Sequence, residues 1–471
     1  MIITRFAPSP TGDPHIGNIR SALFAYLFAK TDSEHGEFLL RIEDTDRERH
    51  DEKSVEVIKE ALRWLDIIPD NLDNPMIQSE RLPLYKEAAL KLVAEGKAYV
   101  CNCSKERLSQ VREEQKAKNL PPMYDKECRN REYRIPNTGL PEDAVIRMKI
   151  PENRKIAFDD LVRGHVEFDS ATIDDQVILK SDGFPTYHLA HVIDDNEMKI
   201  THVIRAEEWL PSTPKHILLN EMLGFDQPKY AHLPVILSPT KGKLSKRDGA
   251  VGIMEYKKLG YLPEALINFM VLLGWNPKTD EEFFTLEELK KRFDLSQVNK
   301  APAVFDINKL DHFSEHYLKL KMQNTNVKTI SQNLQTFGNS DIAEGEAEIL
   351  GRGGFKTLRE MADYIKKLRQ TPEYLSEMLV FKKSTAENTK AGLSAVSDQL
   401  SGLESWQEAT LQKTLEGIVN EKNLSAGDVF WPVRVALSGE EKSPSPTELL
   451  VALGKEESLK RLQKALELLE K

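Results

Sequence analysis

Hydrophobic and polar residues alternate at the start of the chain in the pattern of a parallel α/β unit. The stretch "MIITRF" predicts a short strand, the following Pro- and Gly-rich stretch predicts a loop, and the next apolar residues recur at helical spacing. The apolar stripe of this helix consists of Ile19, Leu23, Tyr26 and Leu27. The stretch "EFLLRIED" then predicts a second buried strand, which ends in the acids Glu43 and Asp44.

This pattern changes twice further along the chain. From about 101 to 185 a charged helix and short strands such as "AVIRMKI" and "DQVILK" predict an insertion, after which "ITHVIRAEEW" and "HLPVIL" resume the first pattern. After about 250 the spacing becomes helical, as in "PEALINFMVLLG", "TLREMADYIKKL" and "TELLVALG". We expect an α/β fold with a Rossmann-like parallel-sheet domain split over 1–100 and 186–250. An α+β insertion over 101–185 and all-α domains over 251–322 and 323–471 complete the prediction.

Composition narrows the class of protein only moderately. The 471 residues are 40% hydrophobic and 30% charged, which is typical of a globular protein of several domains. No apolar run reaches membrane-spanning length and "MIITRFAPSP" does not resemble a signal peptide, so a cytoplasmic location without membrane attachment is expected. The net charge of −10 argues against a protein that is basic all over, but it leaves room for a local basic groove.

Two stretches carry candidate phosphate chemistry. In "RFAPSPTGDPHIGN" the prolines stiffen the path from strand to helix, Gly17 permits close approach of a ligand, and His15 lies at the helix entrance. In "KGKLSKRDG", Lys243, Lys246 and Arg247 stand among small residues, which suits a loop that closes cations over a polyphosphate. Taken alone, the first is also compatible with an ordinary turn and the second with solvated surface.

Together these stretches resemble the HIGH and KMSKS signatures of class I aminoacyl-tRNA synthetases. The flanking text "RFAPSPTGDPHIG", "LLRIEDTD", "VIRAEEWL" and "KLSKRDG" is similar to the glutamyl-tRNA synthetase branch in particular, although Asn18 replaces the last histidine of the first signature. The resemblance implies that L-glutamate and ATP give glutamyl-adenylate, and that tRNA(Glu) then receives the glutamyl group. It also implies Mg²⁺ with the ATP, and a monomer.

The resemblance assigns roles to residues of the first 250. It implies catalytic roles for His15, Lys243 and Lys246, which would stabilise phosphate charge. ATP would be bound by His15, Gly17, Glu208, Trp209, Lys243 and Lys246. Glutamate would be bound by Arg5, Ala7, Ser9, Glu43, Tyr187, His191 and Arg205. Without the resemblance, Arg5 reads as a strand-end charge, Glu43 as a helix cap, and Tyr187 and Trp209 as core aromatics.

The three cysteines all lie in the predicted insertion. Cys101, Cys103 and Cys128 resemble the zinc motif of some relatives, with Tyr124 as an unusual fourth ligand and Asn130 where some relatives have histidine. The alternative is three free thiols. Residues 101–134 hold nine Lys/Arg and six Asp/Glu, a local charge of 9 − 6 = +3, which suits either the acceptor end of tRNA or a solvated helix face.

The C-terminal helical region is expected to read the anticodon, and 251–322 to contact the tRNA stem. In "LGRGGFKTLRE", relatives restricted to tRNA(Glu) tend to carry arginine where Gly354 aligns, so we expect this chain to charge tRNA(Gln) as well. A small alignment shift would instead place Arg352 at that position. Two alternatives are a glutaminyl-tRNA synthetase, disfavoured by the helical tail, and a non-catalytic tRNA-binding relative, disfavoured because His15 and the lysines are present.

Overall fold

The structure is a computed structural model that describes residues 1–45, 52–131, 141, 143–240, 242, 251–339 and 341–470. The chain forms two compact units. The first comprises Met1–Tyr256 and Leu266–Ile307, and the second Lys257–Ala265 and Asn308–Lys471. No helix among the described residues is both long enough and apolar enough to cross a membrane.

The strands of the described residues all precede the C-terminal helices. They are β1 Ile3–Phe6, β2 Glu37–Ile42, β3 Met76–Ile77, β4 Ala98–Cys101, β5 Val145–Met148, β6 Lys155–Asp160, β7 Gly164–Asp169, β8 Val177–Leu179, β9 His202–Ala206, β10 Lys229–Leu233, β11 Ile236–Leu237 and β12 Ala303–Val304.

The helices are distributed over both units. They are α1 Ile16–Lys30, α2 Glu52–Trp64, α3 Leu82–Ala94, α4 Lys105–Ala117, α5 Tyr187–Glu197, α6 Thr213–Leu223, α7 Ile253–Leu259, α8 Pro263–Leu272, α9 Leu286–Arg292, α10 Ile307–Gln323, α11 Val327–Gln335, α12 Glu344–Gly351, α13 Leu358–Arg369, α14 Ala386–Ser401, α15 Glu408–Glu421, α16 Ala426–Ser438 and α17 Pro446–Leu469.

Two sets of parallel strands organise the first unit. Strands β1, β2 and β3 pair in that order, while β9, β10 and β6 pair in parallel and β7 adds an antiparallel hairpin strand to β6. Thr201, just before β9, exchanges hydrogen bonds with Ile3 of β1, so the two sets adjoin there. The chain continues from β1 to β2 on one side of this junction and from β9 to β10 on the other side. Ligands of open α/β sheets bind at such a switch point, beyond the carboxyl ends of the strands.

Burial explains why the opening unit forms as predicted. All four residues of β1 are buried, and α1 buries ten of its fifteen residues against the sheet. Thr4, a buried polar residue of β1, is satisfied because its hydroxyl donates to the Ala25 carbonyl of α1 at 2.8 Å. The predicted α/β class, with its parallel sheet and helical C-terminal part, is confirmed.

The sheets and compact units of the structure do not follow the predicted domain boundaries. Strands β4, β5 and β8 form a separate antiparallel sheet, as an insertion would, but β6 pairs with β10 of the parallel sheet through Tyr230 and Asp160. The segment 251–322 is divided between the two units. The assignment of four domains therefore stays a prediction.

The second unit is helical throughout its described part. Its helices surround a buried aliphatic core drawn mainly from α14 to α17. Gly392 of α14 lies so close to α16 that an added Cβ would lie 2.2 Å from the Asp428 carbonyl oxygen. The helical spacings of "TLREMADYIKKL" and "TELLVALG" are confirmed as α13 and the start of α17, which is interrupted at Gly454, where φ is +73°.

Candidate active site

Three arginines lie near the carboxyl ends of adjacent parallel strands in the first unit. Arg5 belongs to β1, Arg41 to β2 and Arg205 to β9, and their exposed fractions are only 5%, 0% and 6%. Burying a guanidinium is costly unless acceptors surround it. The partners of these three side chains therefore reveal what the site is built to do.

Arg5 and Arg41 share one buried carboxylate. Asp195 of α5 accepts from Arg5 Nε at 3.1 Å and from Arg41 Nη1 at 2.5 Å, while Arg41 Nη2 donates to Glu43 Oε1 at 2.9 Å. Burial disfavours the charged form of Asp195, but Arg5 and Arg41 outweigh it and hold its pKa below the usual range. Burial raises the pKa of Glu43, with Arg41 opposing that shift. His191 Nδ1 lies 3.4 Å from a nitrogen of each arginine.

Arg205 has a different environment. Its guanidinium donates to Tyr187 Oη at 3.2 Å and Thr213 Oγ1 at 3.0 Å, and it lies 3.2 Å from His216 Nδ1 and 3.1 Å from His232 Nε2. Among the residues that the structure describes, no carboxylate lies within ion-pair distance of it. Arg205 is thus a buried cation whose direct partners are uncharged.

Aromatic rings form one wall beside these arginines. Tyr187, the first residue of α5, stacks on His191 with ring centroids 5.2 Å apart, and Trp209 lies 4.4 Å from Tyr187. Trp209 and Glu208 are exposed, within the short helix Glu207–Ser212. A face of this kind, partly open to solvent, can receive a flat ring.

The loop after β1 supplies the other predicted contacts. Ala7 is half-buried and Ser9 is exposed, and between them the Pro8 carbonyl accepts from the Glu43 backbone N–H at 3.0 Å. This bond ties the loops after β1 and β2 together, so Arg5, Ala7, Ser9 and Glu43 share one edge of the sheet. His15 caps α1, accepting from the Gly17 N–H at 3.1 Å.

The same loop contacts the residues that follow the basic stretch. Gly252 forms a backbone bridge with His15, the Ile253 N–H donates to the Pro14 carbonyl at 3.0 Å, and Asp13 accepts from the Met254 N–H at 3.1 Å. Lys243 and Lys246 themselves lie outside the described residues. The residues that follow these lysines, 252–254, are nevertheless hydrogen-bonded to the loop between β1 and α1.

The three thiols and a phenol converge at the end of β4. The sulfur atoms of Cys101, Cys103 and Cys128 all lie within 4.8 Å of one another, and Tyr124 Oη lies 3.4 Å from the sulfurs of Cys101 and Cys103. Tetrahedral zinc with Zn–S bonds of ~2.3 Å places its ligand atoms about 3.8 Å apart. Three thiolates and one oxygen at these spacings fit that ion.

Gly354 belongs to the second unit and is the second of two left-handed glycines. Gly353 has φ of +94° and Gly354 of +88°. Arg352, which caps α12, pairs with Glu408 at 3.3 Å and makes a closer pair with Glu448. Its guanidinium is thereby tied to other helices of the same unit.

Comparison with known proteins shows the family. Residues 1–312 match the family of class I tRNA synthetases (E and Q), catalytic domain, and residues 314–466 match the anticodon binding domain. A glutamate–tRNA ligase of Dehalococcoides mccartyi strain BAV1 is 44% identical over 98% of this chain and 96% of its own length. The chain belongs to the glutamate–tRNA ligase family. The relative from Alkaliphilus metalliredigens is 41% identical over 98% of this chain and 97% of its own.

Solved structures of the glutamate–tRNA ligase family agree with this fold. A crystal structure of a glutamate tRNA ligase from Elizabethkingia meningosepticum in complex with its amino acid matches with a TM-score of 0.87, at 35% identity and 99% coverage of both chains. The glutamate–tRNA synthetase from Elizabethkingia anophelis matches with a TM-score of 0.85, at 36% identity and the same coverage. The resemblance expected from the sequence motifs is confirmed.

For this glutamate–tRNA ligase family member, the sequence located some residues of the site and missed others. Arg5, Glu43, Tyr187, His191 and Arg205 lie together, as expected of a shared pocket, and their roles stay predictions. Arg41, Asp195, His216 and His232 were not predicted. A usable signal existed for His216, a histidine inside the apolar stretch "HILL", because an imidazole at a core position needs a partner.

Proposed function

We propose that this chain activates L-glutamate with ATP and transfers the glutamyl group to the terminal adenosine of tRNA(Glu). The observation that carries the proposal is the charge of the pocket. Three buried arginines, Arg5, Arg41 and Arg205, directly contact two carboxylates, Asp195 and Glu43, so the groups in direct contact have a net charge of 3 − 2 = +1. Asp160 contacts Arg205 only through His232. A substrate carboxylate at Arg205 would supply the missing negative charge.

The same charge supports glutamate over glutamine. A guanidinium forms a charge-assisted hydrogen bond with a carboxylate, which is stronger than the bond that it forms with a neutral amide. Glutamine would leave the buried Arg205 uncompensated, and an unpaired buried charge costs about 3–5 kcal/mol. We assign Arg5 and Arg205 to the carboxylates of the substrate, Glu43 to its ammonium group, and Tyr187, His191, Ala7 and Ser9 to the walls.

ATP is proposed to bind beside this pocket, at the entrance of α1. The helix N-terminus offers backbone N–H groups to phosphate, with Gly17 allowing close approach and His15 and the lysines Lys243 and Lys246 stabilising charge on the phosphates. Glu208 and Trp209 are assigned to the adenosine. Mg²⁺ that accompanies ATP supplies further neutralisation of phosphate charge. Catalysis then rests chiefly on holding two anions together in line.

A structural zinc is proposed for the end of β4. Cys101, Cys103, Cys128 and Tyr124 would hold it, and the ion would join the end of β4 to the segment that carries Tyr124 and Cys128. The insertion is assigned to the acceptor end of tRNA and 251–322 to its stem. We propose a cytoplasmic location, where ATP and tRNA are available and where cysteines stay reduced and able to bind zinc.

We further propose that tRNA(Gln) is charged with glutamate as well. Gly354 offers no side chain to screen an anticodon base, and Arg352 is held by Glu408 and Glu448. Arg352, the arginine that a shifted alignment would place here, is therefore already paired with two carboxylates. Charging of both purified tRNAs tests the proposal, and activity confined to tRNA(Glu) would refute it.

Activation is tested by ATP–pyrophosphate exchange with glutamate and with glutamine, each with and without tRNA. We expect exchange with glutamate in the presence of tRNA and a large preference over glutamine. R205Q should lose most of this exchange. The matched control R63Q changes an arginine whose side chain is 49% exposed and should keep it. Equal exchange by R205Q and the wild type, or exchange with glutamine alone, contradicts the proposal.

A further inference from the structure

Arg205 is held by acceptors whose protonation can be deduced from the contacts. An arginine only donates hydrogen bonds, so the ring nitrogens that it contacts, His216 Nδ1 and His232 Nε2, carry no proton. His232 Nδ1 lies 2.6 Å from Asp160 Oδ2 and must therefore donate its proton to that carboxylate. Each imidazole is fixed in one tautomer by its partner on the far side.

His216 differs from His232 in what lies behind it. Its Nε2 lies 3.0 Å from His188 Nδ1, so the proton that a neutral ring carries there is donated to a second imidazole rather than to an acid. His216 is fully buried. Burial and then Arg205 hold its pKa well below the usual range, and burial lowers the pKa of His188 to about 3.

We infer that His216 is a positioning residue for amino-acid selection, which orients Arg205 through an uncharged acceptor and so leaves the charge of Arg205 for the substrate carboxylate. This inference rests on the proposed function of the pocket. A carboxylate in place of His216 would hold Arg205 equally well and neutralise it. An imidazole at this place orients the guanidinium without neutralising it. The uncharged hydroxyls of Tyr187, on the same nitrogen Nη1, and of Thr213, on Nη2, do the same.

The guanidinium of Arg205 has five N–H groups, each of which can donate a hydrogen bond. Four of them donate to the side chains described above. The remaining hydrogen is on Nη2, which Thr213 engages once. A substrate carboxylate that approaches Arg205 can accept this hydrogen and contact the charge without displacing His216.

A pair of variants with the same shape and different charge tests the inference. H216N keeps an oxygen acceptor near the position of Nδ1, and H216D adds a negative charge at the same place. We expect the KM for glutamate of H216D to exceed that of H216N by at least about tenfold, with the KM for ATP alike in both. H202N and H202D are the controls, because His202 lies at the other end of β9 and bonds Thr201; their KM values for glutamate should agree within about twofold.

The outcomes distinguish two failures. No glutamate-dependent exchange by the wild type would overturn the proposed function itself. An active wild type whose H216N and H216D variants share one KM for glutamate would overturn the positioning role alone. If thermal melting shows that either variant is unfolded, T213N and T213D repeat the test at another acceptor of Arg205, with the same expected difference and the same contrary result.

Discussion

Asp13 accepts a hydrogen bond from the backbone N–H of Met254 at 3.1 Å, although 241 residues separate them in the sequence. The contact joins the loop that precedes α1 to the chain just after the basic stretch. Gly252 lies against Asp13 at this contact. A Cβ at Gly252 would lie 1.9 Å from the Asp13 carboxylate, so a side chain there would have to displace Asp13. The two stretches proposed to act on phosphate are thus joined through described residues.

Replacing Gly252 should therefore impair the use of ATP. In G252A the new methyl group must displace Asp13 and with it the contact to Met254. We expect kcat/KM for ATP in pyrophosphate exchange to fall by about tenfold or more, since small displacements of positioning groups are costly. G417A is the control, because a Cβ there meets open space in a helix. Unchanged ATP kinetics in G252A would show that the contact is dispensable.

The phenol of Tyr124 should strengthen zinc binding. Y124F removes the oxygen that lies 3.4 Å from two sulfurs and leaves three thiolates. We expect Y124F to release zinc to a chelator at roughly tenfold lower chelator concentration, measured by metal content after dialysis. Y99F is the matched control, because the Tyr99 hydroxyl bonds Asp175 and no sulfur. Identical retention of zinc by Y124F and Y99F would exclude Tyr124 as a ligand.

The half-buried His188, which is neutral in the folded protein, should make the first unit sensitive to acid. The pKa of His188 falls from 6.5 to about 3 on folding because of burial, so between these values the unfolded chain binds one more proton. The free energy of unfolding then decreases as pH falls through this window, by up to about 1.4 kcal/mol per pH unit, and the effect is absent above pH 6.5.

Replacing His188 should make the free energy of unfolding less dependent on pH. H188N cannot titrate, so its free energy of unfolding, measured by urea at pH 7.5, 6.0 and 5.0, should fall less steeply than that of the wild type. H35N, at a histidine whose side chain is 66% exposed, serves as the control and should keep the wild-type slope. A wild-type slope in H188N would mean that His188 is not held neutral.

An arginine at position 354 should restrict the choice of tRNA. Both G354A and G354R place a side chain at φ of +88°, with strain of roughly 1–2 kcal/mol, but only G354R adds a cation. Relative to G354A, we expect G354R to charge tRNA(Gln) at least about tenfold more slowly, with tRNA(Glu) less affected. Equal effects on both tRNAs would leave the loop without a role in discrimination.

Local chemistry made part of this site predictable. Arg5 and Arg205 stand at the ends of apolar strand patterns, and the rule that parallel strands meet at one edge brings such ends together. The motif around His15 is contiguous, so its place at the start of α1 could also be inferred. The fold class followed from the change between period-two and helical spacing.

Long-range packing determined what the sequence did not reveal. Asp195 matters because α5 brings it between Arg5 and Arg41, and no local pattern encodes that meeting. The division of 251–322 has a similar cause. The Gly260 carbonyl accepts from the Leu358 N–H, so residues 257–265 join the helical unit rather than their neighbours in sequence.

Arg205 lies opposite His232 in the parallel register of β9 and β10. A slip of one residue would turn every side chain of one strand to the other face of the sheet. The proposed grip on glutamate therefore exists only after 202–233 have paired in full alignment. A nascent or partly unfolded molecule would therefore lack the proposed contact between Arg205 and the amino acid.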